Sequence, residues 1–65
     1  MQMTEYDFLL RAWQNSQELV RDFENYSKKV ESPELRDVFK KFAEEEGMHA
    51  SKFSQLASNY KPDQR

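Results

Sequence analysis

Apolar residues recur from Tyr6 onward in alternating steps of three and four: Tyr6, Leu9, Trp13, Val20, Phe23 and Val30. Ser16 and Ser27 fill the two remaining places in the series. That spacing holds to one face of an α-helix, and sustained this long it makes a heptad seam. A flanking row, Ala12, Leu19 and Tyr26, repeats beside it every seven residues. The face is therefore wider than one partner helix needs. The rhythm returns in the second half as Leu35, Phe39, Phe42, Glu46, His49, Phe53, Leu56 and Tyr60. Next to it runs a row of small residues, Ala43, Ala50 and Ala57, which would let two helix backbones approach closely.

The ends of these periodic runs carry their own signals. Thr4 and Asp7 have the spacing of a capping box, and Glu5 and Asp7 suit the positive end of a helix dipole. Met3 and Phe8 have the spacing of a hydrophobic staple, which accounts for Phe8 lying off the main seam. Glu31-Ser32-Pro33-Glu34 is the break. Ser32 is a good N-cap, Pro33 fits the first helical position, and the residue before a proline is pushed out of the helical region. The pattern predicts one domain over 1–65: a helix over about 4–30, a turn at 31–33, a helix over about 33–60 and a short tail at 61–65. Each helix would be roughly 40 Å long at ~1.5 Å per residue. So short a connection forces an antiparallel hairpin. The fold class is all-α, and a lone hairpin would leave part of both wide stripes in water. Two hairpins face to face, a homodimeric four-helix bundle, is the economical solution.

Composition sharpens this picture. The chain has 65 residues, one Gly and no Cys. A scaffold of this size without disulfides is expected to need a partner chain or a metal. The net charge of −2 is mild, and Lys28-Lys29 and Lys40-Lys41 both lie close to acids. They read as solvated faces, so no nucleic-acid partner is expected. No run approaches the ~20 apolar residues of a membrane span, and the first residues are not a basic-then-apolar secretion signal, so no membrane partner and a cytoplasmic location are expected. With one His and no Cys the usual nucleophilic triads are out of reach, and one Gly cannot build a phosphate loop. No catalytic residue is assigned, and the reading leans away from an enzyme. Trp13 and the Phe/Tyr stripe read as core, and Met48 as a surface or interface residue. Gly47, inside the second helix, either admits a close neighbour or a π-bulge, or is merely tolerated on the outer face.

Glu46 and His49 are the chemistry-bearing residues. They occupy successive places in an otherwise apolar seam, flanked by Phe39 and Phe42 on one side and Phe53 and Leu56 on the other. With the turn near residue 32 they should lie level with residues 14–18 of the first helix, so Ser16 would meet them. Two readings compete. In one, Glu46 and His49 form a charge-assisted pair, completed by Ser16 and Gln17, that sets the register of a bundle. In the other they are metal ligands, because Glu-x-x-His on an inward helix face aims a carboxylate and an imidazole at one ion.

The run from Leu35 to Phe53, with Ala43-Glu44-Glu45-Glu46-Gly47-Met48-His49-Ala50, resembles the second helix of the rubrerythrin branch of the ferritin-like superfamily. Lys28-Lys29-Val30-Glu31-Ser32-Pro33-Glu34-Leu35 resembles that family's inter-helix turn, and the first helix matches by pattern only. The chain is also similar to short hairpin proteins related to the spore-coat F family. The resemblance implies a ferritin-like four-helix bundle, Glu46 and His49 as metal ligands, and iron or zinc as the metal. It also implies a first-helix Glu at a separation that lands here on Trp13 or Ser16, neither a carboxylate. Glu18 falls on the outer side, Glu24 lies about two turns away along the helix, and Gln14 and Gln17 are poor ligands for ferric iron. The expectation is a dimeric structural or interaction protein with a degenerate metal site. The alternatives are an iron- or zinc-binding protein using Glu46 and His49 at the dimer centre, or a subunit that takes its missing ligands from another chain.

Overall fold

The structure, a computed structural model, describes residues 3–62 and consists there of α1, Glu5–Lys29, and α2, Pro33–Tyr60. Of the expected tail, Asp63, Gln64 and Arg65 lie outside the described residues, as do Met1 and Gln2. The N-terminus of α1 is built as its sequence implies. The Thr4 hydroxyl accepts from the Asp7 amide at 3.2 Å, and the Asp7 carboxylate accepts from the Thr4 amide at 3.0 Å. Two of the amides that a helix start leaves without partners are thereby satisfied. At the other end, Lys28 and Lys29 sit in the last turn, where positive charge suits the dipole. The Val30 amide still reaches the Tyr26 carbonyl at 3.0 Å, but Val30 itself is extended.

The turn is correspondingly tight. Ser32 caps α2 by accepting from the Leu35 amide at 3.3 Å, and Pro33 opens the helix where no amide hydrogen is needed. Both helices then run antiparallel in contact along their length. Near the turn, the Tyr26 ring lies 5.5 Å from Phe39, and Phe23 lies 6.0 Å from Phe39 and 6.2 Å from Phe42. At the open end, Leu9 and Leu56 line one groove of about 280 Å³ together with Phe8 and Tyr60. The molecule is a single layer of helices, 53 Å long, 22 Å across and 14 Å thick.

Packing within the layer selects one part of each apolar arc. On α2 the alanine row is the contact line: Ala43 and Ala57 are 5% exposed, and Ala50 is also buried. On α1, Ser16 and Ser27 are the most enclosed residues. The two seam serines thus mark closest approach, and the Ser27 hydroxyl returns its hydrogen bond to the Glu24 carbonyl at 2.7 Å. Phe39, Glu46 and Phe53 flank this line and are half-buried, whereas Leu35, Phe42 and His49 turn outward. The α2 seam is therefore unevenly covered, with Phe39, Glu46 and Phe53 more enclosed than Leu35, Phe42 and His49, although Phe42 and Leu56 still reach α1 at Phe23 and Leu9. Among the described residues no large side chain is fully buried.

Gly47 lies in uninterrupted α-helix without a positive φ, and a Cβ there would meet nothing within 4 Å. It makes no room for a close neighbour and marks no π-bulge. Its cost is backbone entropy alone, about 1 kcal/mol relative to Ala. Gly47→Ala should therefore stabilise the protein by about that amount, read as a melting temperature higher by roughly 4–8 °C for a domain of this size. No gain would mean that the glycine meets something outside the hairpin.

Candidate functional site

The site is built by one helix. Glu46 and His49 lie one turn apart on α2, so their side chains emerge side by side. The His49 Nδ1 stands 3.4 Å from the Glu46 Oε1. The carboxylate is the more sheltered partner, with 21% of its side chain exposed against 61% for the imidazole. Glu46 leans toward the contact with α1, and His49 projects from the outward row between Phe42 and Leu56. In a single hairpin the pair is therefore a partly solvated one, a geometry worth about 0–1 kcal/mol. The hairpin shelters Glu46 but does not supply the burial of His49 that the seam led us to expect.

Register places the rest. Tyr26 packs on Phe39, and Leu9 meets Leu56, so the pair lies level with Ser16 to Leu19 of α1. That is close to the level expected, but Ser16 is turned into the hairpin contact and bonds to neither Glu46 nor His49. Gln17 and Glu18 are exposed. Glu24 borders a separate groove with Lys40, Ala43 and Glu44, which by helical spacing lies on the other face of the layer from the aromatic cluster. Trp13 is half-buried.

The feature least visible in the sequence is where the exposed apolar side chains gather. Leu19, Tyr26, Leu35, Val38, Phe42 and Tyr60 remain exposed. By helical spacing they share one broad side of the layer with Phe23, Phe39 and Leu56. Phe8, read as a staple residue, is 58% exposed and sits at the open end of this same side. Glu46 and His49 are the polar residues in its middle.

A dinuclear site in a ferritin-like bundle takes a Glu from each of two helices and a Glu-x-x-His motif from each of the other two. This hairpin supplies the motif and not the other carboxylate, because α1 offers Trp13 and Ser16 at the matching places. Among the described residues, no group of three or more His, Cys, Asp or Glu side chains converges as a metal site. The donor set of one chain does not fit the dinuclear group.

No curated protein and no solved structure matches the chain. The family model for rubrerythrin matches residues 7–65, taking in nearly all of α1, the Ser32-Pro33 turn and the Glu46-x-x-His49 motif. With two capped antiparallel helices and that motif at mid-length, the chain belongs to the rubrerythrin family.

Proposed function

We propose that the chain is a small structural or interaction protein of this family, working as a homodimeric four-helix bundle with a degenerate metal site. The observation that carries this reading is a hairpin in which, among the described residues, no large side chain is fully buried beside a broad exposed apolar face. A monomeric layer one helix thick cannot enclose its aromatic residues, whatever their rotamers. A face 53 Å long and 22 Å wide spans about 1,200 Å², above the ~800 Å² each partner brings to a standard interface. A second copy brings a face of the same length, width and apolar character. No helix among the described residues is long and apolar enough to cross a membrane, and a cytoplasmic location goes with this reading.

A second reading is favoured by the position of His49. Its imidazole is the accessible donor on that face, with a carboxylate beside it at 3.4 Å. Two copies would present two Glu and two His, a set suited to one zinc or ferrous ion. The deciding experiment offers Fe(II) and Zn(II) to untagged protein, then measures metal per chain and mass on the same sample. The expected outcome is a mass of twice 7.9 kDa without stoichiometric metal. One ion per dimer, lost in Glu46→Ala, would install the second reading in its place.

A further inference from the structure

We propose that the open end of the hairpin binds a small organic cation, an alkylated ammonium group carried on a short apolar stem. The site is the groove of about 280 Å³ lined by Glu5, Phe8, Leu9, Leu56 and Tyr60. Two helix ends build it. Phe8 and Leu9 follow Glu5 by three and four residues at the start of α1, and Tyr60 follows Leu56 by four at the end of α2, so each set shares one face. Leu9 and Leu56 are half-buried and make the floor. The Phe8 and Tyr60 rings are 58% and 51% exposed and make the walls.

The charges at this end favour a positive occupant. Glu5 brings the one carboxylate of the groove, and among the described residues that carboxylate has no hydrogen-bond or ion-pair partner. The antiparallel turn also brings the C-terminal end of α2 here, where the last carbonyls lack helical partners and carry the negative end of the dipole. No basic residue stands in that last turn, and Lys61, the C-cap, does not line the groove. The positive end of α1 lies alongside, but it is already answered. The Thr4 hydroxyl and the Asp7 carboxylate take two of its amides, and Glu5 and Asp7 offset its dipole.

The lining also selects the kind of cation. A metal ion needs several donor atoms, and the groove has a single carboxylate. A primary ammonium is strongly hydrated, and Leu9 and Leu56 offer nothing to replace its water. Alkyl groups on the nitrogen spread the charge beneath an apolar surface that both leucines can cover. Aromatic faces attract such a cation through their quadrupoles. A volume of about 280 Å³ lies just under the roughly 300–1,000 Å³ of ordinary ligand pockets, which limits the occupant to the head and a short stem. One hairpin supplies every one of these residues, so the site does not rest on the dimer reading. It does lie at the end of the face assigned above to a second copy.

Choline and its neutral isostere, with carbon in place of the nitrogen, share a shape and differ in charge. Each is titrated into the full chain while the ring proton resonances of Phe8 and Tyr60 are followed, and mass is measured on the same sample. Choline is expected to shift both rings and to bind about tenfold more tightly than the isostere, by a margin that added salt narrows. Glu5→Gln leaves the Thr4–Asp7 cap in place and should bring choline most of the way to the isostere. Phe8→Leu keeps the groove apolar and should weaken choline while sparing the isostere. Equal affinity for the two probes would overturn the cation site, and so would shifts that leave both rings untouched. Twice the chain mass with no response from either ring would mean that a second copy fills the groove, which also overturns it. A single-chain mass with choline bound as expected would remove the dimer reading and leave this site standing.

Discussion

On the proposed dimer reading, Phe42→Asp is expected to halve the mass of the protein in solution, from twice 7.9 kDa to 7.9 kDa, and to take most of the helical signal with it. Phe42 touches Phe23 at 6.2 Å yet stays 44% exposed in the hairpin. A large part of its apolar surface is therefore left uncovered by the hairpin. Covering the remainder of a large side chain contributes of order 1 kcal/mol, and a two-fold interface counts each side chain twice. Aspartate removes that gain and adds a charge whose burial without a partner costs several kcal/mol. The loss should reach the secondary structure as well. The described hairpin buries completely only small residues, and helices of this length are marginal in water without tertiary packing. Circular dichroism and sedimentation would then report one linked transition that depends on protein concentration. Met48→Asp is the control: Met48 is 65% exposed on the outer face, so the change should stay within about 0.5 kcal/mol. An unchanged mass for Phe42→Asp would move the partner to another surface.

His49→Leu, at the polar centre of the same face, should destabilise the assembly by about 3–5 kcal/mol, and adding Glu46→Leu should recover most of it. The reason is an asymmetry in how charges are covered. Removing one member of a pair leaves the other without its counterpart in low dielectric, whereas replacing both by apolar residues of similar size is neutral or stabilising by roughly 1–4 kcal/mol. In the isolated hairpin the pair is only partly solvated, with the His49 side chain 61% exposed. There His49→Leu should cost less than about 1 kcal/mol. Urea unfolding of wild type, the single change and the double change separates the two cases. A harmless single change would show that no second copy covers Glu46 and His49.

Some of this was plain from residue order. Thr4 with Asp7, and Ser32 with Pro33, place the helix starts where the structure has them, because capping is local chemistry between residues three apart. The α1 seam from Tyr6 to Val30 was likewise readable, and every residue in it is half-buried or buried. The Glu46-x-x-His49 motif was visible at once, since its spacing alone puts the two side chains together. What stayed hidden was the rotation of α2. Its apolar arc runs from the alanine row through Phe39, Glu46 and Phe53 to Leu35, Phe42 and His49, and either edge of it could have faced α1.

By itself, then, the sequence determined two capped helices, a tight antiparallel turn, membership in an all-α family and the adjacency of Glu46 and His49. All of these depend on residues close together along the chain. Only the tertiary structure decided which edge of α2 is used within the hairpin. The methyl groups of Ala43, Ala50 and Ala57 permit the closest approach to Ser16 and Ser27, so that row is enclosed. Phe42 and His49 are left facing outward as a consequence. A hydrophobic pattern records how much of a helix surface avoids water, and not which neighbour covers it. When the arc is wider than one contact, the closeness of backbone approach makes that choice.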